Sequence, residues 1–132
     1  MDTLTEVDVV QAYARAWNRL RPQEFVDLLA TDVRYASMWV FEDLQGREAV
    51  AEYLTSKMQA VRRHTAVDST VPVRAELGKT TMSWPGRDCV VMTQNGHVAA
   101  AALFEIANGF VQKIDLCMPE LLGIVRSGEY PE

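Results

Sequence analysis

Apolar residues recur at three- and four-residue steps in the first part of the chain and at two-residue steps in the second. Val10, Tyr13, Trp17 and Leu20 describe one face of a helix. Thr3, with Glu6 three residues later, reads as the capping box that starts it. Arg21-Pro22 interrupts this face. A proline suits a first helical position, where its missing N–H would be unpaired anyway, so a second, shorter helix is predicted with Phe25, Leu28 and Leu29 buried. Residues 32–41 are rich in aromatic and β-branched types and predict a strand. The run QGREAVAEYLTSKMQAV predicts a third helix with Val50, Tyr53, Leu54, Met58 and Val61 inward.

After Arg63 the period becomes two. Thr65, Val67, Ser69, Val71, Val73, Ala75 and Leu77 alternate with more polar neighbours, which predicts a long strand. Pro72 is expected at a bulge or an edge within it, because it has no N–H for a ladder. Gly78-Lys79 reads as a turn, 80–84 as a short strand and Pro85-Gly86 as a break. Asn95-Gly96 and Asn108-Gly109 each lie between apolar runs. Asn-Gly tolerates the positive φ angles of a tight hairpin, so 88–94, 97–107 and 110–118 are predicted as three consecutive antiparallel strands. The tail PELLGIVRSGEYPE is expected to form one turn of helix and then fray. Helices first and strands later predict one α+β domain over 1–132, with three N-terminal helices packed on a curved, mainly antiparallel sheet.

Charge and special residues narrow the function classes. The formal net charge is −5, which disfavours a nucleic-acid partner. The basic cluster Arg62-Arg63-His64 reads as a helix end, where cations suit the dipole. Cys89 and Cys117 fit no zinc spacing and read as buried free thiols, consistent with a reducing compartment. The N-terminal residues lack the features of a signal peptide, and no stretch approaches the ~20 apolar residues of a membrane span. A soluble, cytoplasmic protein without a membrane partner is expected. Two distant histidines predict no metal site, and Gly46-Arg47-Glu48 reads as a helix start, not a phosphate loop. No cofactor is implied. Arg74 and Glu76 are expected as a solvated or interface pair, and His97 at a rim.

The order of AYARAWNRLRPQEFVDLLATDVRY, QGREAVAEYL, VPVRAEL and LFEIANGFVQKIDL resembles the nuclear-transport-factor-2-like superfamily over nearly the whole chain. That group includes ketosteroid isomerases, limonene epoxide hydrolases and polyketide cyclases. The resemblance implies a cone-shaped α+β barrel with a deep pocket for a small apolar organic molecule, often in a homodimer. Tyr13 falls where ketosteroid isomerases keep the tyrosine that donates to the substrate oxyanion. Their base, an aspartate, is replaced here by Ser37, and their protonated aspartate by Ala101 or Ala102. Steroid isomerisation is therefore not expected, since a serine with nothing to activate it does not abstract a proton near neutral pH. Tyr35 and Ser37 resemble the water-holding Tyr-x-Asn of the epoxide hydrolases, but Val90, Met92 and Leu116 stand where those enzymes keep their arginine and aspartates. Polyketide cyclases place an acid in the last strand, which makes Asp115 the carboxylate to test.

Alternation gives the set expected to line the pocket. It comprises Tyr35, Ser37, Trp39, Val90, Met92, Val98, Ala100, Ala102, Ile114, Leu116 and Met118, roofed by Tyr13, Trp17 and Tyr53. An apolar wall with a few hydroxyls has the character of a small-molecule pocket. The run Ala99–Ala102 removes volume from a central strand, which fits ligand space, close helix approach or a flat dimer face. Tyr13 as donor and Asp115 as acid/base are the candidate catalytic pair. Asp115 serves only if it reaches the cavity, and the direct register points it away. An isomerase, hydrolase or cyclase, a non-catalytic binder of small apolar molecules, and an assembly module with a vestigial pocket all remain open at this level.

Overall fold

The computed structural model describes residues 4–38, 42–68, 73–82 and 85–132, with backbone alone over 64–68. Its elements run α1 (Glu6–Arg19), α2 (Gln23–Val26), β1 (Leu29–Ser37), β2 (Leu44–Gln45), α3 (Arg47–Asp68), β3 (Val73–Lys79), β4 (Asp88–Gln94), β5 (His97–Ala107), β6 (Phe110–Cys117), a 3-10 turn (Pro119–Leu121) and β7 (Val125–Arg126).

Helix α1 starts on a capping box two residues later than the sequence suggests. The Thr5 hydroxyl accepts from the Asp8 N–H at 3.2 Å, and the Asp8 carboxylate accepts from the Thr5 N–H at 3.0 Å. Thr3, the expected cap, lies outside the described residues. The helix stops at Leu20, which adopts the left-handed conformation (φ 56°) while the Arg21 N–H reaches back to the Ala16 carbonyl at 2.8 Å. Pro22 precedes α2, which is a single turn.

Among the described residues the strands form one sheet in the order β2-β1-β6-β5-β4-β3-β7. All neighbours are antiparallel except β1 and β6. The two Asn-Gly hairpins form as expected. Asn95, Gly96, Asn108 and Gly109 all have positive φ, and the flanking pairs Gln94↔His97 and Ala107↔Phe110 close two-residue loops. Two bulges bend the long β5–β6 region. Ala99 is the extra residue between the Met92↔Ala100 and Thr93↔Val98 pairs, and Gln112 lies between the Val111 and Lys113 pairings.

Three expectations need correction. Helix α3 continues to Asp68, so the two-residue alternation does not mark a strand over 65–68, and β3 spans Val73–Lys79, with 69–72 outside the described residues. Pro72 lies outside the described residues. Thr80–Met82 is not a strand, and Gly78-Lys79 is not a turn but the end of β3. A Cβ on Gly78 would stand 2.9 Å from Val91 Cγ2 and 3.1 Å from the Val125 carbonyl, so the glycine leaves room for the returning tail.

That tail does not fray. Glu76 is 2% exposed, and its carboxylate accepts from Arg126 Nε (2.7 Å), the Gly128 N–H (2.7 Å) and the Tyr130 hydroxyl (3.3 Å). Glu76 is thus a buried clamp and not a solvated partner of Arg74, whose guanidinium stacks 3.9 Å from the Tyr130 ring centre. Asn18, on α1, completes the edge. Its amide donates to the Ala75 carbonyl and accepts from the Ala75 N–H, both at 2.8 Å, as an adjacent strand would. It also donates to the Pro131 carbonyl at 2.7 Å.

The helices cover one face of the sheet. The main core lies between them and includes Val33, Tyr35, Ala75, Val90, Ala102, Phe104 and Ile114 from the strands. A second cluster, with Cys89, Val91, Ala101, Leu103, Cys117 and Leu122, occupies the outer face under the 3-10 turn.

Candidate functional site: the open end of the inner face

Exposure along the inner face follows position on the strands. Val33, Val90, Ala102 and Ile114 are fully buried, whereas Tyr35 keeps 6% of its surface and Met92 and Ala100 keep 8%. Ser37 and Leu116, further along β1 and β6, are half-buried. Strand directions place the C-terminal ends of β1, β4 and β6 together with the N-terminal end of β5. The interior therefore has a packed end and an open end. Three rings fill the packed side: Tyr13 meets Phe25 at 4.9 Å and Phe104 at 5.0 Å, both edge-on.

Polar groups converge toward the open side. Tyr13 and Trp17 are four residues apart on α1 and so share a face one turn apart. Tyr35 on β1 packs against Tyr53 of α3, with ring centres 5.1 Å apart. Lys57 places its ammonium 5.5 Å from the centre of the Tyr53 ring. Burial pushes the Tyr13 phenol up to about 12; the Trp17 indole N–H beside it pulls the other way, and Tyr53 adds to the rise. Burial raises Tyr35 as well, reinforced by Tyr13 and Tyr53. Both phenols thus stay protonated through the physiological range, where Tyr13 can serve as a hydrogen-bond donor and not as a base.

The residues expected to line the pocket separate into groups. Tyr13, Trp17, Tyr35, Val90, Met92, Ala100, Ala102 and Ile114 lie in the inner core, with Tyr53 and Leu116 packed against it. Ser37 ends β1 opposite Leu116. Met118 lies just beyond β6, its N–H 3.3 Å from Met38 Sδ. Val98 packs with the outer cluster, because the Ala99 bulge reverses the alternation there. Trp39 lies outside the described residues. The rings of Phe25 and Phe104 were missed as the floor; the helical stripe containing Phe25 was the available signal.

Asp115 stands on the outer face. It pairs across the ladder with Leu103 and binds Lys113 Nζ at 3.3 Å. With Arg87 and Glu105 it rims a shallow outer cavity of about 350 Å³ floored by Leu103, Cys117 and Leu122. Tyr13 and Asp115 are therefore separated by the sheet and do not form one site. Cys89 and Cys117 are free and buried. Burial pushes the Cys89 thiol up to about 12 and raises Cys117, so neither is a ready nucleophile.

A curved, unclosed mixed sheet with three helices packed on it is the nuclear-transport-factor-2-like fold, and the chain has it. A SnoaL-like protein of unknown function from Burkholderia thailandensis superposes with a TM-score of 0.61 at 14% identity, covering 96% of this chain and 100% of that one. An NTF2-like protein of unknown function from Cytophaga hutchinsonii gives 0.57 at 16% identity, over 90% and 95%. A candidate polyketide cyclase from Pseudomonas putida gives 0.55 at 20% identity, over 90% and 98%. No family model and no curated protein matches the chain. Among the described residues no helix is long and apolar enough to cross a membrane.

Proposed function

We propose that the protein binds a small, neutral, mainly apolar molecule through the open end of its inner face, with Tyr13 donating a hydrogen bond to a ligand oxygen. The observation that carries this reading is that Tyr13, Trp17, Tyr35 and Tyr53 place their polar groups close enough to influence one another within an otherwise apolar core whose accessibility rises toward Met92 and Ala100. A charged ligand fits poorly, since the buried charge among the described residues, Glu76, is already bound by the tail, and Lys57 beside the Tyr53 ring is exposed to solvent. The candidate polyketide cyclase of the same fold supports a small-molecule role without naming the ligand.

Catalysis of the isomerase, hydrolase or cyclase kind would use Tyr13 to polarise a carbonyl or epoxide oxygen. Among the described residues Glu76 is the one buried carboxylate, and Arg126, Gly128 and Tyr130 already occupy it, so it is not a free base for Tyr13. Binding is therefore the reading favoured. A thermal-shift and calorimetry screen of cyclic ketones, lactones and epoxides, alongside matched carboxylates, tests it. Neutral oxygenated compounds are expected to bind, and Tyr13→Phe to weaken them. Preferential carboxylate binding, or no binding across the panel, overturns the reading.

Self-association as a homodimer belongs to the same proposal. The outer cluster, flanked by the exposed side chains of Met38 and Leu121, supports pairing through that face. Sedimentation at micromolar concentration is expected to give twice the 14.8 kDa chain mass; a monomer at that concentration rejects the pairing.

A further inference from the structure

Trp17 is 8% exposed, and its indole Nε1 is buried with no hydrogen-bond partner. The N–H acts on the Tyr13 hydroxyl as a hydrogen-bond donor does, pulling its pKa down, yet it meets no acceptor in the geometry of a formed hydrogen bond. Such orphans are rare, because a buried donor without an acceptor loses its water and gains nothing in return. Among the described residues one other buried side-chain polar atom shares this state, Glu24 Oε2, and its sister oxygen takes Arg19 at 2.9 Å. Trp17 has a single polar atom, so no second contact offsets its loss.

The position of the orphan is informative. Trp17 follows Tyr13 by one turn of α1, and its neighbour Asn18 is bound to the Ala75 backbone in the strand beside Met92. The indole therefore sits at the level where Met92 and Ala100 begin to be accessible. Its N–H lies beside the hydroxyl of Tyr13, which burial keeps protonated.

We infer that the Trp17 N–H is a specificity-determining donor that, with Tyr13, reads one acceptor oxygen of the ligand. This rests on the binding reading above and deepens it. The ligand class becomes molecules with an acceptor oxygen that offers two lone pairs: ketones, lactones, esters and epoxides. Hydrocarbons of the same shape are selected against, because they leave the N–H unpaired. Tyr13 alone would be satisfied by an ordinary core partner; Trp17 is what makes an acceptor necessary.

The experiment compares 2-acetylnaphthalene with 2-ethylnaphthalene, which has the same skeleton without the oxygen. Trp17→Phe removes the N–H. A second variant with benzothienylalanine at position 17 removes it while keeping the bicyclic shape, should the smaller ring disturb packing. The wild-type protein is expected to prefer the ketone, and both variants to lose about tenfold of that preference. The carbonyl stretch of bound ¹³C-labelled ketone is expected to move to higher frequency in the variants, as one hydrogen bond is lost. The unliganded benzothienylalanine variant should melt at the wild-type temperature or above, since an orphan donor has been removed. Binding with unchanged preference and unchanged stretch overturns the Trp17 inference and leaves the binding reading standing. A lowered melting temperature in the unliganded benzothienylalanine variant also overturns it, because the N–H then serves an internal bond. If neither compound binds the wild-type protein, and the oxygenated panel also fails, both readings fall.

Discussion

Enlarging Ala100 measures the open end directly. Ala100 and Ala102 both face inward on β5, two residues apart. Ala102 is fully buried and flanked by Val90 and Leu116 on its two neighbouring strands. Ala100 pairs with Met92, lies past the last β5–β6 ladder pair and keeps 8% of its surface. Leucine adds three carbons to either site. In free space, burial at ~0.8 kcal/mol per methylene would contribute up to about 2.4 kcal/mol. In a filled core the same carbons cost about 1–3 kcal/mol. For 132 residues the unfolding entropy is about 0.28 kcal/mol/K, so 1 kcal/mol moves Tm by about 3–4 °C. Ala102→Leu is expected to lower Tm by about 4–11 °C, and Ala100→Leu to leave it unchanged or raise it by a few degrees. In calorimetry Ala100→Leu should also weaken 2-acetylnaphthalene at least about tenfold, because the leucine occupies ligand space. Equal destabilisation by both leucines would mean that the open end is packed core, and the reasoning from residual exposure would be refuted.

The raised phenols predict an alkaline weakness. Tyr13 titrates near 10 when unfolded and at about 12 in the fold, so its contribution is complete below pH ~10 and is lost as pH climbs toward 12. Urea unfolding between pH 8 and 11.5 should show no loss from these tyrosines up to about pH 10 and then stability falling by about 1.4 kcal/mol per unit for each, and Tyr13→Phe should flatten that slope. Glu76→Ala leaves the Gly128 N–H and the Tyr130 hydroxyl without their acceptor; a loss of about 1–3 kcal/mol is expected, with faster hydrogen exchange at Val125–Tyr130 and little change in α3. Asp115→Asn should alter 2-acetylnaphthalene affinity less than about twofold and stability by about 0–1 kcal/mol, because its partner Lys113 is a half-exposed ion pair on the far face. A loss of binding in Asp115→Asn would place the carboxylate in the pocket after all.

Local signals were legible where the determining residues were close in sequence. The Asn-Gly turns set φ at their own two positions, so both hairpins and the ends of β4 and β5 followed from the chain alone. From that register Asp115 already pointed outward. Residues 65–68 read as strand because Thr65 and Val67 carry a two-residue alternation too short to decide between periods. Continuing an existing helix costs far less than starting a strand, and the Arg62 guanidinium bonds the Leu20 carbonyl at 2.7 Å. Bulges are invisible to alternation, so Val98 was placed on the wrong face. The tail was illegible because its acceptor, Glu76, lies about fifty residues upstream and looked like an ordinary surface charge. The orphaned state of Trp17 is likewise a fact of packing; sequence shows only that it shares a helical face with Tyr13.

The amide of Asn18 has a consequence for ligand kinetics. It fixes the turn of α1 that immediately follows Trp17 to the Ala75 backbone on both its donor and acceptor sides. Tyr13 is separately wedged between Phe25 and Phe104. The ordering of both donors is therefore completed when the chain folds, and little of their freedom remains to be lost on binding. A site built this way should capture its ligand without a slow closing step. Observed association rates should rise linearly with ligand concentration, and selectivity should come from dissociation.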